Sequence, residues 1–267
     1  MTAHYYNEWD KGAAAWLREL INNKLIPFGY VDERSITEVT PSDLEGFTQC
    51  HFFAGIGGWP LALQLAGVPE STRLWTGSPP CQPFSVAGKS IGFDDERHLA
   101  PAFLRLIREC KPELLFGEQV AAAIGKHWLD FVLLNLEEKG YACGSAVLPA
   151  CSVGAPHKRD RLFFGASLLA YPESKRLPHR GCGEAFSEFG EASGSGITKT
   201  ITCNYKAQWE DCDRILCADK KFRSVRPGSF PLAHGVPARV GRLRGYGNAI
   251  VPQVAAEFVK AFMESIE

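Results

Sequence analysis

Hydrophobic residues recur along the chain with two different spacings. Helical spacing, with apolar residues returning every three to four positions, covers residues 13–21, 58–67, 98–110, 125–140 and 251–266. Short apolar runs, typical of buried strands, cover residues 49–55, 73–81, 113–118, 145–150 and 161–170. Because the helices and apolar strands alternate, the pattern predicts an α/β fold with a mostly parallel sheet covered on both faces.

This alternation stops between about Tyr171 and Gly228. Residues 181–200 are rich in Gly and Ser and predict a loop. We interpret the region as a small subdomain or insertion between the last strand and the closing helix.

Composition is that of a globular protein of 267 residues, with 45% hydrophobic and 22% charged residues. No apolar run is long enough to span a membrane, and the acidic, aromatic first residues do not resemble a signal peptide. The nine cysteines are odd in number and irregularly spaced, which argues against a disulfide framework and favours a cytoplasmic location.

Charge is distributed unevenly although the net value is only −1. Residues 156–245 contain 16 Lys and Arg against 9 Asp and Glu, and the remainder of the chain is net acidic. A basic part on an acidic body is typical of contact with nucleic-acid phosphates. A solvated basic surface is the alternative interpretation.

A glycine-rich loop, residues 53–58, follows an apolar strand and precedes a helix. Glycine lets the backbone turn tightly and approach a ligand, and the helix N-terminus offers free amides. The loop lacks the Gly-Lys-Ser/Thr of a nucleoside triphosphate site, and an ordinary strand–helix turn remains the alternative.

A second loop holds a cysteine among prolines. Cys81 follows Pro79 and Pro80 and precedes Pro83, which stiffens the backbone at the carboxyl end of a predicted parallel strand. A thiolate there can attack an electron-poor ring carbon. A buried, unreactive cysteine is the alternative.

Three charged residues lie near the ends of other predicted strands. Glu118 ends an apolar strand, where a carboxyl group in a pocket can stay protonated and act as an acid. Arg159 and Arg161 are two positions apart in extended chain, so their guanidinium groups face one side and can hold a phosphate or a base edge. Solvent-facing charges are the alternative for all three.

Together these segments resemble the DNA cytosine-5 methyltransferase family. The glycine loop resembles its cofactor loop, residues 77–89 its nucleophile loop and 92–99 the segment after that loop; residues 116–120 resemble its glutamate motif, 154–164 its Arg-x-Arg strand and 245–252 its closing Gly-Asn motif. The resemblance implies a Rossmann-like S-adenosylmethionine-dependent methyltransferase sheet with a small irregular target-recognition region. Residues 1–165 and 234–267 would form the catalytic and cofactor-binding domain, and 166–233 the recognition region. Gln119 departs from the family's usual asparagine, which puts the rate in question.

The order of segments also departs from the family. Too few residues separate Gly55 from Cys81 for the two strands that usually lie between them, but residues 4–16 and 29–36 resemble those missing segments. We therefore predict a permuted chain that starts at the family's second strand, continues to the outer third strand, and then crosses to the first. An inactive remnant left by a deletion is the alternative.

Site residues follow from the resemblance. Cys81 would attack C6 of a flipped cytosine, Glu118 would engage N3 and the exocyclic amine, and Arg159 and Arg161 would orient the base or a phosphate. Glu8 would bind the ribose, Trp9 would stack on adenine unless it is core, and Asp32 would accept from the adenine amine. The other expected cofactor contacts are Phe53, Gly55, Gly57, Pro80, Asn248 and Ile250. The expected DNA contacts are Gln82, Ser85, Lys89, Arg97, Arg223, Arg226, Arg239, Arg242 and Arg244.

The resemblance implies double-stranded DNA as partner, a monomer, and a prokaryotic or phage-encoded enzyme of the restriction–modification kind. An RNA cytosine-5 methyltransferase is one alternative, although its usual Cys-Phe-Thr element is absent. A catalytically impaired DNA-binding relative is another. A zinc module built from His179, Cys182, Cys203, Cys212 and Cys217 lacks a CxxC pair, so no metal site is expected. The recognition sequence cannot be read from the chain.

Overall fold

A computed structural model describes residues 3–80, 99–155, 157–169, 213–216, 220, 222–225 and 247–266. All of these belong to one compact unit made of Met1–Leu169 and Ala207–Glu267. The second unit, Ala170–Lys206, lies outside the described residues.

Regular elements follow the alternation that the hydrophobic pattern predicts. The strands of the main sheet are β1 (His4–Asn7), β2 (Gly29–Asp32), β3 (Gln49–Phe52), β4 (Leu74–Gly77), β5 (Leu114–Val120), β6 (Tyr141–Leu148) and β7 (Arg161–Leu168). The helices are α1 (Lys11–Asn22), α2 (Gly58–Ala66), α3 (Ala100–Cys110), α4 (Trp128–Glu137) and α5 (Pro252–Ile266). Short 3₁₀ helices cover Pro41–Leu44, Ala121–Lys126 and Ala150–Val153. The predicted α/β fold is confirmed.

The sheet order is β2-β1-β3-β4-β5-β7-β6. The first five strands in this order run parallel, and β7 pairs antiparallel with both β5 and β6. Strand β3 therefore lies between β1 and β4, although it follows β2 in the chain. This is the neighbour order predicted for a permuted chain, in which residues 33–48 cross from the outer strand back past β1.

Helix ends have local causes. Asp10 caps α1, because its side chain accepts from the Ala13 amide at 2.9 Å. Gly57 and Gly67 bracket α2 in left-handed conformations, with φ of 84° and 76°. A Cβ on Gly57 would also lie 3.0 Å from a Leu20 methyl carbon, so α1 and the glycine loop approach closely there.

Two layers of helices cover the sheet. Helices α3 and α4 pack on one face, where the buried side chains include Phe52, Phe103, Leu106, Trp128 and Phe164. Helices α2 and α5 pack on the other face, around Trp59, Leu74, Phe116, Phe163 and Phe258. Helix α1 covers a third cluster around Tyr6, Leu17 and Val31. The site described below lies at the carboxyl ends of the parallel strands of this sheet.

Two features differ from the sequence-based expectation. Strand β6 begins at Tyr141, before the predicted start at residue 145, because it pairs with the full length of β7. An antiparallel pair, β8 (Asp213–Leu216) and β9 (Phe222–Val225), lies in the region where the hydrophobic pattern stops. Among the described residues, no helix is both long and apolar enough to cross a membrane.

Candidate active site

The candidate site lies along one edge of the sheet. Parallel strands place their carboxyl ends together, and ligands of open α/β sheets bind at that edge. Glu8 follows β1, Asp32 ends β2, Phe53 follows β3 and Pro79 lies just beyond β4. Glu118 lies near the end of β5. The first residue of β7, Arg161, reaches the same edge because β7 runs antiparallel.

Glu118 is largely buried and forms a salt bridge with Arg161. The Glu118 side chain is 9% exposed, and its Oε1 accepts from Arg161 Nε at 2.8 Å. Burial raises the pKa of Glu118 to about 7, against the opposing charges of Arg161 and Arg159. The carboxyl group can therefore hold or release a proton near neutral pH.

Arg159 contacts the loop that precedes the last helix. Its Nη2 donates to the carbonyl oxygens of Gly247 at 2.9 Å and Ala249 at 2.6 Å. The Arg159 backbone is left-handed, with a φ of 39°, which is uncommon outside glycine. Arg159 thus ties the start of β7 to the residues on either side of Asn248.

The first residues of the cysteine loop are held by two hydrogen bonds. Trp59 Nε1 donates to Ser78 Oγ at 2.9 Å. Gln119 Nε2 donates to the Pro79 carbonyl at 3.2 Å, and Gln119 Oε1 accepts from the Val120 amide at 3.0 Å. The long amide at position 119 therefore contacts the loop that leads to Cys81. Cys81 itself lies outside the described residues.

Glu8 joins the two loops on the predicted cofactor side. Its carboxylate accepts from the Gly55 amide at 2.8 Å and from the Asp10 amide at 2.8 Å. Burial raises the pKa of Glu8, and these two amides oppose that shift. Gly55 has a φ of 56° and Phe53 a φ of 53°, so the glycine loop turns sharply over the end of β3.

Trp9 and Asp32 differ in how available they are to a ligand. Trp9 is 76% exposed, so it is not a core residue. Asp32 is buried, and its carboxylate accepts from the Tyr5 hydroxyl at 2.7 Å and from Arg34 Nη2 at 2.6 Å. Burial raises the pKa of Asp32, but these partners, the Arg34 side-chain hydrogen bond above all, outweigh it and leave that pKa below the usual range. Its role toward adenine stays a prediction beside this structural one.

The closing motif combines one exposed and one buried residue. Asn248 is exposed. Ile250 is 8% exposed and packs on α2, where a Cβ on Gly58 would lie 2.7 Å from its Cγ1. The glycine at position 58 therefore lets the closing loop approach the start of α2.

Several predicted residues cannot be placed. Cys81, Gln82, Ser85, Lys89, Arg97, Arg226, Arg239, Arg242 and Arg244 lie outside the described residues, as do all members of the postulated zinc module. Arg223 lies in β9, but only its backbone is described.

Comparison with known proteins adds independent information. Residues 67–180 match the family described as C-5 cytosine-specific DNA methylase. Over this segment, which is less than half of the chain, the sequence is similar to that family. The match begins after the glycine loop and includes Cys81, Glu118 and both arginines of the Arg-x-Arg strand.

Curated proteins similar to this chain include type II methyltransferases. M.AplI of Arthrospira platensis is 36% identical over 105 residues, which is 38% of this chain and 30% of M.AplI. M.HhaI of Haemophilus parahaemolyticus is 29% identical over 166 residues, covering 47% of this chain and 50% of M.HhaI. M.NlaX of Neisseria lactamica is 26% identical over 254 residues, covering 76% of this chain and 80% of M.NlaX. The chain thus spans half or less of the length of the first two.

Two side chains of the candidate site were missed by sequence reasoning. Trp59 lies in an apolar helix pattern, where an indole is indistinguishable from any other core residue. Arg34 lies only two residues after Asp32, and its contact with that carboxylate depends on the turn after β2. A signal for Trp59 existed, because a buried indole needs a partner for its N–H group, but the sequence does not identify that partner.

Proposed function

We propose that this protein transfers a methyl group from S-adenosylmethionine to C5 of cytosine in double-stranded DNA, with Cys81 as the nucleophile. The observation that carries the proposal is the Glu118–Arg161 pair. A buried carboxyl group with a pKa of about 7 lies beside the strand whose loop leads to the cysteine. Such a group can donate a proton to a ring nitrogen at neutral pH.

The chemistry assigns one task to each residue. The Cys81 thiolate forms a bond to C6 of a cytosine that has left the base stack. Glu118 donates its proton toward N3, so that negative charge does not accumulate in the ring. Arg161 holds Glu118 in place and carries the positive charge that balances the carboxylate afterwards. After C5 has taken the methyl group, loss of the C5 proton to a base and return of the N3 proton to Glu118 let the bond between sulfur and C6 break.

The residues on the other side of the edge fit the cofactor. S-adenosylmethionine, when bound, supplies an electrophilic methyl group. Glu8 offers a buried carboxylate whose two oxygens each accept one amide, which leaves further acceptor capacity for ribose hydroxyls. Gly55 brings its backbone to the same carboxylate, and the exposed Trp9 indole is free to stack on adenine. Gly57 and Asn248 complete the proposed contacts.

Contact with DNA is proposed through its phosphates and around the flipped base. The basic residues 156–245 supply the charge. Gln82, Ser85, Lys89 and Arg97 flank the nucleophile in sequence. The proposal includes action as a monomer in a prokaryotic or phage context, as expected from the sequence.

The test is transfer of tritiated methyl from S-adenosylmethionine to unmethylated duplex DNA. Wild type should label C5 of cytosine, whereas Cys81→Ser should give no label and Glu118→Gln should be slower by about a hundredfold or more. A parallel reaction with RNA separates the two substrates: label on RNA alone would replace DNA in the proposal. No label on either, together with no cofactor binding by calorimetry, would mean that the permuted cofactor site is not functional.

A further inference from the structure

Two buried side chains donate hydrogen bonds to the root of the cysteine loop, Ser78 and Pro79, from opposite faces of the sheet. Trp59 belongs to the cluster under α2 and α5, and it donates to Ser78 Oγ. Gln119 is four positions along β5 from Leu115 and two from Gly117, which both lie on the face covered by α3 and α4, and it donates to the Pro79 carbonyl. Each bond thus reaches the loop from a different helix layer.

Trp59 joins the two loops of the proposed site. It lies in the first turn of α2, two residues after the left-handed Gly57 of the glycine loop. Its side chain is 2% exposed and packs edge-on against Phe163, with ring centroids 6.4 Å apart. A phenylalanine would fill most of the same space. What the indole adds is an N–H group aimed at the cysteine loop.

The direction of the backbone at Ser78 constrains the position of Cys81, because the two residues are close in sequence. Gly77 ends β4 under the Phe103 ring, where a Cβ would lie 2.4 Å from a ring carbon. Only Pro79 and Pro80 separate Ser78 from Cys81, and both prolines have φ fixed by their rings. The direction in which the chain leaves Ser78 therefore limits where Cys81 can lie.

We propose that Trp59 is a positioning residue for the nucleophile: its hydrogen bond to Ser78 fixes the root of the cysteine loop against the helix of the cofactor loop. The inference rests on the proposed function. It assigns to Trp59 and Ser78 an effect on the rate of attack by Cys81. It assigns them no effect on cofactor affinity, because neither side chain is among the proposed cofactor contacts.

The experiment measures single-turnover methyl transfer to duplex DNA by Ser78→Ala, Trp59→Phe, the double variant and Ser78→Thr. One lost neutral hydrogen bond should slow each single variant by about tenfold. The double variant should also lose about tenfold rather than a hundredfold, because both changes remove the same bond. Ser78→Thr keeps the hydroxyl group and should restore a rate within about twofold of wild type.

Ser265→Ala is the matched control. Its hydroxyl group donates to the Phe262 carbonyl in the last turn of α5, so it also loses one hydrogen bond but far along the chain from the loop. Its rate should equal that of wild type. Calorimetry with S-adenosylmethionine should give one dissociation constant for all variants.

Three kinetic results would overturn the inference: an unchanged rate in Ser78→Ala, rate losses that multiply in the double variant, or a slow Ser78→Thr. Weaker cofactor binding by Ser78→Ala would also contradict it. An inactive wild type would instead refute the proposed function, so the two failures are distinguishable. If Trp59→Phe does not fold, Ser78→Ala and Ser78→Thr still decide the question.

Discussion

Arg161 Nε lies 2.8 Å from Glu118 Oε1, across the antiparallel pair of β5 and β7. Glu118 pairs in register with Phe163, so Arg161 occupies the diagonal position on the same face. Burial disfavours the carboxylate, whereas the guanidinium favours it, and the result is a pKa of about 7. Burial outweighs the opposing guanidinium on β7, and it is therefore burial that makes Glu118 a proton donor near neutrality.

The raised pKa of Glu118 predicts a pH-dependent effect of Glu118→Gln on stability. Its pKa is about 7 in the folded protein and has an ordinary value of 4.5. The folded state thus holds a proton that the unfolded state has lost. The contribution of this group to the free energy of unfolding is fully present below about pH 4.5 and is lost as the pH rises through about 7. Glutamine cannot ionise, so the free energy of unfolding of the variant should rise relative to that of wild type as the pH increases between these limits.

Urea unfolding at pH 5 and pH 8 measures this gain. We expect the free energy of unfolding of Glu118→Gln, relative to wild type, to be higher at pH 8 by about 2 kcal/mol. Glu137→Gln, in the last turn of α4, is the control and should show no such difference. Equal relative stability at both pH values would mean that Glu118 is ionised throughout.

Much of the fold and part of the site could be predicted because the chemistry is local in sequence. The strand order followed from the order of motifs, since Glu8 and Asp32 had to lie beside a glycine loop that comes later in the chain. Exposure of Trp9 excludes its alternative as a core residue. The antiparallel pair β8 and β9 was missed, because its short strands lack a clear alternation.

Partners of individual side chains could not be predicted in this way. Asp32 was expected to face adenine, but its carboxylate is engaged by Tyr5 and Arg34. Arg34 also pairs with Asp43 at 3.0 Å, in the segment that returns the chain to β3. Such contacts depend on turn geometry and on the path of the permuted connection, which hydrophobic spacing does not encode.

Trp9→Ala should weaken cofactor binding without reducing stability. The indole is 76% exposed, so it contributes little to the core, whereas stacking on a base is worth about 1–3 kcal/mol. We therefore expect the dissociation constant for S-adenosylmethionine to rise by roughly tenfold to a hundredfold in calorimetry. Trp16→Ala is the matched control, since Trp16 is also exposed, at 48%, but lies on α1. If both variants bind like wild type, Trp9 does not stack on the cofactor.

Arg159→Lys should loosen the loop that carries Asn248. The lysine keeps the positive charge but cannot reproduce a guanidinium that donates to the carbonyls of Gly247 and Ala249. We expect about tenfold weaker binding of S-adenosylmethionine, the order of one charge-assisted hydrogen bond. Lys158→Ala is the control, because Lys158 is exposed and pairs only locally with Asp160 among the described contacts. Unchanged affinity in Arg159→Lys would show that the closing loop holds its position without this arginine.

Substitutions of Gln119 test whether the glutamine that stands here in place of the family's usual asparagine supports the rate of methyl transfer. Its Nε2 reaches the Pro79 carbonyl at 3.2 Å, and the backbone of β5 is fixed beside β4 by the pairing of Gly117 with Gly77. Gln119→Met keeps the length but removes the donor, and Gln119→Asn keeps the donor but shortens the side chain. Both should slow single-turnover methyl transfer by about tenfold, because each leaves the Pro79 carbonyl without this amide.

The comparison of these two variants separates length from chemistry. Gln64→Met, at an exposed position of α2, controls for loss of a glutamine and should match wild type. If Gln119→Asn is as fast as wild type while Gln119→Met is slow, the donor matters and the extra methylene does not. If both variants are slow, the rate depends on a donor with the length of glutamine that reaches the Pro79 carbonyl. If both variants are as fast as wild type, the hydrogen bond from Gln119 to the Pro79 carbonyl does not affect the rate.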